Sequence, residues 1–400
     1  MTALLAVNFS GLHADPVESS LDSAFAKVEE TVPGKFSINA RLRYEVFDLD
    51  NGDPDFDRDG TSLRIRYGYT TPDFNGFSAM VEGETLTRVG GDHDDIHPLD
   101  DAGDGTDLNQ LWAQYRDADY GSVKVGRQIY FLDDHRFIGH VGWRQNIQTF
   151  DAATGEYSGV DRLSVKGFYL GAQNAVNGTH NKLDAYGLNV RYGFDPAFNL
   201  TGFFYDIKGR ETTNRNASNK TIGLRATGQF NAFELPFTYA ASVANQKESG
   251  PSTLDYSARY LSGDLSTVAQ GITLGAGFEI LDPQFRTPLS TVHAFNGFAD
   301  ALLPTAGFSN GLKDYYVYAG YTIPVGNGIN TKVIYHWFDS ESGSASGENG
   351  GRELDLLATY KINKYLSMIA KYGDYRENGG VGNAGAFDKK MFTFELNFVY

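Results

Sequence analysis

The chain has no cysteine and no run of 18 apolar residues anywhere in its 400 residues. Without cysteine it can form no disulfide framework, no thiolate metal site and no cysteine nucleophile. Without a long apolar run it cannot cross a membrane as a helix, and its mean hydropathy is −0.36. A β-barrel is compatible with both absences, because only every second residue of a membrane-spanning strand needs to be apolar.

Basic residues are also scarce, with 34 Lys and Arg against 50 Asp and Glu and a formal net charge of −16. This balance excludes nucleic-acid binding, which needs clustered cations to neutralise phosphates. The sequence contains no HExxH, phosphate-loop or nucleophile motif. Asp133, Asp134 and His135 are the nearest approach to an acid–base set, and such residues are common in loops, so we expect no enzyme.

The first 34 residues differ in pattern from the long β-rich region that follows them. Residues 1–14 resemble the end of a secretory signal, with Leu12 and Ala14 before the cleavage point, although the basic start is missing and a disordered tail is the alternative. Residues 15–34 then form a periplasmic segment with one short amphipathic helix predicted over 18–29. The barrel is predicted to occupy residues 35–400.

From Lys35 the apolar period changes from helical to two. Ile38 and Leu42 fall on one face of the first segment, and Arg41 and Arg43 fall on the other. The same alternation predicts eighteen strands, most of them longer than the 9–11 residues or so that span a bilayer. They lie near 35–50, 61–73, 77–89, 107–118, 121–130, 143–157, 162–174, 183–194, 198–210, 218–230, 234–246, 253–262, 271–282, 313–323, 329–341, 352–361, 365–377 and 387–400.

The connections between these segments alternate between long loops and short turns along the whole chain. Outer-membrane barrels are built this way, with short turns in the periplasm and long loops outside. The last strand alternates and ends on Tyr400, an aromatic terminus of the kind that barrel-assembly machinery recognises. The sequence therefore predicts an all-β protein, an antiparallel transmembrane barrel of 18 strands. The alternative is a secreted soluble all-β protein that binds carbohydrate, which cell fractionation would distinguish.

Four blocks carry a more specific pattern: 42–53, 61–84, 125–152 and 285–303. Together they resemble the alginate-export family of outer-membrane porins. The resemblance implies a barrel in the bacterial outer membrane that passes solutes, in the type case an anionic polysaccharide. It leaves the solute open between uronate oligosaccharides and small organic acids.

The polar faces of the predicted strands carry more basic than acidic residues, eleven against six. The basic ones are Arg41, Arg43, Arg64, Arg66, Arg116, Lys124, Arg191, Arg225, Lys332, Lys361 and Lys371. The acidic ones are Glu45, Glu82, Glu84, Glu279, Asp355 and Glu395. A low-dielectric wall focuses such a field, so an anion-selective channel is predicted. The alternative is an Arg/Glu ladder that only satisfies inward charges. The candidate pore-lining residues are Arg41, Arg43, Arg64, Arg66, Arg116, Arg127, Arg136, Arg144, Arg191, Arg225 and Lys332.

Two further expectations depend on the local path of the backbone. Arg127 has the parity of the apolar Val125, so a bulge is needed to turn it inward. The longest connection, 283–312, is too apolar for a solvated tip and is predicted to fold into the mouth as a constriction. Its candidate residues are Arg286, His293, Phe295, Asn296 and Phe298.

The acidic residues concentrate in the first two long loops. Asp55, Asp57 and Asp59 match the first half of a calcium loop, but Arg66 stands where the bidentate Glu belongs. No cofactor is expected beyond loosely bound calcium in these loops, where divalent ions would bridge to lipopolysaccharide. The expected partners are outer-membrane lipid and lipopolysaccharide, the barrel-assembly machinery and the anionic solute.

Overall fold

The computed structural model describes residues 15–50, 58–91, 103–342, 349–381 and 384–400. The expected signal remnant, 1–14, lies outside the described residues. One α-helix, α1 (Asp15–Thr31), precedes the strands, and no described helix is long and apolar enough to cross a bilayer. The strands are β1 (Lys35–Leu49), β2 (Arg58–Thr70), β3 (Phe77–Gly91), β4 (Gly105–Asp117), β5 (Gly121–Gln128), β6 (Thr149–Tyr157), β7 (Leu163–Asn174), β8 (His180–Asp195), β9 (Phe198–Ile207), β10 (Asn219–Ala232), β11 (Leu235–Glu248), β12 (Ser257–Ala269), β13 (Ile272–Leu281), β14 (Leu312–Ile323), β15 (Ile329–Asp339), β16 (Asn349–Lys361), β17 (Leu366–Arg376) and β18 (Lys389–Val399).

The eighteen strands form one closed antiparallel barrel. Each strand pairs with its neighbours in sequence, and β1 closes the barrel by pairing with β18 from Asn39 opposite Val399 to Leu49 opposite Lys389. Closure leaves no free sheet edge, so every strand finds backbone hydrogen-bond partners on both sides. The predicted fold class and strand number are confirmed.

Two strands differ from the prediction by more than three residues at an end. The sixth was predicted over 143–157, but β6 starts at Thr149 and the preceding residues belong to a loop. The twelfth was predicted over 253–262, whereas β12 runs from Ser257 to Ala269. In the second half of β12 the alternation of apolar and polar residues is weak, because Gly263, Ser266 and Thr267 are neither strongly apolar nor charged.

The outer face of the barrel is apolar. Leu111, Leu188, Leu224, Val243 and Leu274 all expose more than two fifths of their surface on this face. Residues of the opposite parity point inward and are mostly polar or charged. Exposed aliphatic residues at every second position around a closed barrel are the pattern of strands that face lipid.

The two ends of the barrel differ. At the end we call the short-turn rim, eight turns of two to six residues join the strands, and both the start of β1 and the end of β18 lie there. At the opposite end, the long-loop rim, nine connections range from five residues, 175–179, to thirty, 282–311. The predicted alternation is therefore confirmed, with 175–179 as a short exception.

Helix α1 lies at the short-turn rim, beside the end of β18 and the turn between β16 and β17. The ring of Phe25 stacks on that of Tyr400 with 3.4 Å between centroids. Asp22 lies 2.6 Å from the Nζ of Lys364 and accepts a hydrogen bond from the Tyr365 hydroxyl. The helix thus packs on the C-terminal strand at the rim.

Candidate functional site

Two long loops fold back from the long-loop rim into the barrel. We name 129–148 inner loop 1 and 282–311 inner loop 2. They pair with each other: the Gly139 amide donates to the Leu289 carbonyl at 2.8 Å, and the Thr291 amide to the His135 carbonyl at 3.0 Å. A Cβ at position 139 would lie 2.2 Å from the Thr291 hydroxyl, so the close approach requires glycine there.

The paired loops and the inner face of the wall form the main apolar core inside the barrel. Ile138 and Leu289 are fully buried and form a parallel bridge. Around them pack inward-facing aromatic residues of the wall, among them Phe150, Phe203 and Tyr260. Inner loop 2 lies where the constriction was predicted, whereas inner loop 1 was not foreseen as a lumen element.

Arginines of β1 and β2 fix inner loop 1. The Arg41 guanidinium donates to the carbonyls of Gly142, Trp143 and Arg144 at 3.0–3.2 Å, and Arg43 also donates to the Trp143 carbonyl. Arg66 reaches the Gln145 carbonyl at 3.1 Å. The chain reversal of inner loop 1 therefore uses basic side chains of the wall as donors for its free carbonyls.

The same arginines are paired with inward carboxylates. Arg43 lies 2.6 Å from Glu395 on β18, and Arg66 pairs with Glu84 on β3. Arg144, within inner loop 1, lies 3.5 Å from Glu45. The ladder interpretation of the inward charges therefore applies on this side of the barrel.

Acidic side chains of β13–β16 fix inner loop 2 in the complementary way. The Phe298 amide donates to Asp355 at 3.1 Å, and the Ala299 amide to Glu353 at 2.5 Å. The Asn296 side chain donates to Glu279 at 2.8 Å. The two sides of the lumen therefore differ. Basic side chains of β1 and β2 donate hydrogen bonds to inner loop 1, and acidic side chains of β13–β16 accept hydrogen bonds from inner loop 2.

Arg136 of inner loop 1 links both inner loops to the acidic side chains of β13–β16. Its Nη2 lies 2.5 Å from Glu279 and donates to Asn296 at 3.1 Å, while its guanidinium stacks over Phe295 at 4.6 Å. Only 1% of the Arg136 side chain is exposed. Removal of either partner would leave a buried charge uncompensated.

We expect the Arg136→Gln substitution to lower the free energy of unfolding by about 3–5 kcal/mol, the usual cost of breaking a buried ion pair. A matched control is Arg162→Gln, because Arg162 and Asp161 form an exposed pair at 3.3 Å. The control should cost no more than about 1 kcal/mol. Denaturant titration of the refolded barrel in detergent measures both, and equal losses in the two variants would contradict the assignment.

The inner loops meet in a stack of rings inside the barrel, beside the wall of β1 and β17. Trp143 of inner loop 1 stacks on His293 of inner loop 2 with 3.4 Å between centroids, and Phe298 continues the stack at 5.3 Å. Arg43 and Lys371 lie 5.2 Å and 5.5 Å from the Trp143 ring. This junction, the Trp143–His293–Phe298 stack, joins the two inner loops and is flanked by cations.

The contacts of His293 require a neutral ring. Its Nδ1 lies 3.1 Å from Asp300, and its Nε2 lies 3.1 Å from the Lys371 ammonium, which can only donate. The ring therefore donates through Nδ1 and accepts through Nε2. Burial, which outweighs the opposing effect of Asp300, lowers the pKa of His293 to about 4.

Acidification should therefore loosen the junction. The unfolded-state pKa of His is about 6.5, so the stability that neutral His293 contributes is present above that pH. It is lost as the pH falls through about 4, where the protonated ring repels Lys371. His140 has a similarly lowered pKa of about 4. We therefore expect His293→Asn, compared with His140→Asn, to remove most of the pH dependence of single-channel noise between pH 7 and pH 4. Equal effects of the two substitutions would contradict this role.

A cavity of about 340 Å³ lies between inner loop 2 and the wall of β10–β16. Its lining includes Asp264, which accepts hydrogen bonds from the hydroxyls of Tyr316 at 3.1 Å and Tyr318 at 3.0 Å. Lys332 lies 4.1 Å from the Tyr318 ring and Arg225 lies 2.6 Å from Asp134. The cavity offers aromatic faces together with charges of both signs.

Ten of the eleven predicted pore-lining residues have inward positions, and they form two groups. Arg41, Arg43, Arg66, Arg136, Arg144 and Arg225 lie in the lumen in ion pairs. Arg64, Arg116, Arg191 and Lys332 also have inward positions, and no carboxylate of the described chain lies within 4 Å of them. Arg64 is buried, and its Nη2 donates to Asn39 at 2.7 Å.

The inward placement of Arg127 is wrong. The register of β5 runs without a bulge from Val125 opposite Ala153 to Arg127 opposite Asp151. Arg127 therefore keeps the outward parity of Val125 and pairs with Asp151 at 2.7 Å on the outer face. The placement of Arg144 in a strand is also wrong, because inner loop 1 carries it into the lumen.

The constriction residues have different positions within inner loop 2. His293 and Phe298 belong to the ring stack, and Asn296 and Phe295 to the Arg136 contacts. Arg286 lies at the base of the loop, buried, with its amide 2.9 Å from the Gln246 side chain. Arg286 therefore anchors the loop to the wall.

Sequence reasoning missed several lumen residues. Asp264, Asp314 and Glu353 all face inward. The excess of inward basic residues over inward acidic residues is therefore smaller than expected. Asp264 lay beyond the predicted end of the twelfth strand, and Trp143 was assigned to a strand. For the calcium hypothesis, Asp55 and Asp57 lie outside the described residues, and Asp59 accepts a hydrogen bond from Tyr44 at 3.2 Å.

The comparisons with known proteins agree with this architecture. The alginate-export family matches residues 32–287, well over half of the chain. No curated protein sequence matches significantly. Among solved structures, Acinetobacter baumannii OccAB2 has a TM-score of 0.73 at 14% identity, covering 92% of this chain and 98% of its own. Pseudomonas aeruginosa OpdL gives 0.71 at 14% identity, with coverage of 92% and 98%.

A third solved structure, Pseudomonas aeruginosa OpdK with vanillate, has a TM-score of 0.68 at 12% identity, covering 92% of this chain and 99% of its own. At these identities the likeness extends to the fold alone. The family match covers the four sequence blocks that carried the resemblance except the last, 285–303. The chain belongs to the alginate-export family, and its barrel is of the outer-membrane porin type.

Proposed function

We propose that the barrel is an anion-preferring channel for small solutes that carry a carboxylate. The observation that supports this most directly is the set of four inward cations with no described carboxylate within the 4 Å of an ion pair, Arg64, Arg116, Arg191 and Lys332. Arg116, Arg191 and Lys332 lie within four residues of the short-turn ends of β4, β8 and β15. In a low-dielectric wall such charges raise the local concentration of anions.

The size of the free space favours small solutes. Two inner loops and their core occupy the lumen toward the long-loop rim, and the cavity beside inner loop 2 is about 340 Å³. That volume is at the lower end of small-molecule sites, large enough for a single sugar acid or aromatic acid. OpdK, whose solved structure contains vanillate, is a barrel of the same fold that accommodates an aromatic carboxylate.

Passage of an anionic polysaccharide is the second candidate, and membership of the alginate-export family favours it. An extended uronate chain would need the Trp143–His293 contact to separate. The two candidates therefore differ in what they require of the inner loops. A small acid needs only side-chain motion there, whereas a polymer needs the loops to move apart.

Reversal potentials in a planar bilayer under a salt gradient test the proposal. We expect anions to be preferred, with further current block by glucuronate at millimolar concentration. A preference for cations would overturn the proposed selectivity. Block by long alginate fragments with no effect of glucuronate would favour the polymer candidate instead.

A further inference from the structure

The outer face of the barrel has an apolar groove across β8–β12. Its volume is about 790 Å³, and its lining includes Leu188, Val190, Gly202, Leu224, Val243 and Arg259. Gly202 lies opposite both Val190 and Leu224 in the strand registers, so the missing side chain opens the groove. A Cβ at position 202 would find its nearest neighbour, Leu224 Cδ2, at 3.6 Å, an ordinary contact distance.

Cations gather at the long-loop end of this groove. Lys220, Lys247 and Arg259 lie on the adjacent strands β10, β11 and β12, and each has the outward parity of a lipid-facing residue, Ile222, Val243 or Leu261. Lys208 joins them from the loop after β9, 5.2 Å from the ring of the outward Tyr186. The arrangement forms a basic patch on a chain whose net charge is −16.

The patch is short of negative charge. Lys220 and Lys247 lie directly opposite each other in the β10–β11 register, an unfavourable pairing of like charges. Asp282 pairs with Arg259 at 2.9 Å, and the buried Asp206 lies 3.5 Å and 3.6 Å from Lys208 and Lys220. Lys247 has no ion-pair partner within the described part of the chain. At ion-pair distance four cations thus share two carboxylates, while Glu248 and Glu341 lie farther from Lys247 and Arg259.

Position along the barrel relates the patch to the groove. Leu224 follows Lys220 by four residues toward the short-turn rim, which corresponds to about 13 Å along a strand. Long loops of outer-membrane barrels face the outside, so the patch lies at the headgroup level of the outer leaflet and the groove lies at the level of its acyl chains. A ligand that fits both must carry anionic groups on an acylated body.

We propose that this surface, the basic patch with its groove, binds a phosphorylated, multiply acylated glycolipid of the lipid A class, with phosphates on Lys220, Lys247 and Arg259 and an acyl chain over Gly202. Basic clusters next to a membrane attract anionic lipid headgroups, and apolar burial adds to the binding. The site lies on the outside of the barrel and is independent of the channel function.

A comparison surface exists on the same barrel. A second outer groove across β14–β18, lined by Tyr321, Val333, Ala358 and Phe392, lies toward the short-turn half. Outward cations at the long-loop ends of these strands include Lys313, Arg352 and Lys390. They provide a control for removed charge, and Ala358 provides a control for filling a groove.

The test is native mass spectrometry of the full chain in detergent, titrated with bisphosphorylated lipid A. We expect the triple variant Lys220→Gln, Lys247→Gln, Arg259→Gln to weaken binding at least about tenfold, since each cation near an anionic headgroup strengthens the binding. Gly202→Trp should weaken it as well. The triple variant Lys313→Gln, Arg352→Gln, Lys390→Gln and the single variant Ala358→Trp should bind as the parent does.

Three results would overturn the proposal. One is equal loss of lipid A binding in the control and test triple variants, which would indicate general charge attraction. Another is equally tight binding of phosphatidylglycerol, which would make the surface a site for ordinary anionic lipid. The third is a lipid-free dimer that disappears in Gly202→Trp, which would identify a second copy of the chain as the occupant. A heat-modifiable band on gels confirms that each variant is a folded barrel.

Discussion

Replacing residues 288–303 with two glycines should raise the single-channel conductance severalfold. The excised segment contains His293, Asn296 and Phe298, which join inner loop 2 to inner loop 1 and to the acidic wall. Its ends are already adjacent, because the Thr287 amide donates to the Pro304 carbonyl at 2.9 Å. A short bridge can therefore close the gap without moving β13 or β14, and conduction follows from the wider lumen.

The control for this deletion shortens the connection between β3 and β4, on the same rim, by as many residues as its smaller length allows. That variant should conduct like the parent if inner loop 2 is the constriction. The current through reconstituted single channels gives the comparison directly. An unchanged conductance after deletion of 288–303, in a barrel that is still heat-modifiable, would show that the narrowest point lies elsewhere.

Removing the unpaired cations that border the short-turn rim should abolish most of the anion preference. The variant combines Arg116→Gln, Arg191→Gln and Lys332→Gln, none of which has an ion-pair partner among the described residues. For a univalent ion, full selectivity corresponds to about 59 mV of reversal potential per tenfold gradient. We expect the parent to retain a sizeable part of that value and the triple variant to lose more than half of what the parent shows.

A matched control removes the same charge from the outer face, with Arg127→Gln, Arg259→Gln and Arg352→Gln. These side chains have outward parity, so the bilayer and the wall separate them from the permeating ion. The reversal potential of the control should equal that of the parent. If both triple variants changed selectivity alike, net charge of the molecule would explain the preference and the lumen cations would not.

The paired arginines are expected to behave differently from the unpaired ones. Arg43 and Arg66 each meet a carboxylate and a loop carbonyl. Most of their donor capacity is therefore used to position inner loop 1, and their contribution to the field is offset by Glu395 and Glu84. Under the proposed anion preference, this division assigns the selectivity to the few cations outside the ladder.

The sequence by itself determined the number of strands, the order of the strands and which face of each strand is polar. These features are local: a period of two and the length of a connection are read within about a dozen residues. For the same reason the parity of Arg127 was readable, and only the expectation of a bulge was wrong. The family resemblance was likewise carried by contiguous blocks, and the match over 32–287 confirmed it.

The tertiary structure decided what the inward charges do. Arg43 meets Glu395 only because closure of the barrel joins β1 to β18, and no local pattern relates residues so far apart in the chain. The path of inner loop 1 was equally hidden, since its carbonyls are held by Arg41 and Arg66 from distant strands. A loop's destination depends on hydrogen-bond partners that exist only once the barrel is closed, so local sequence could not specify it.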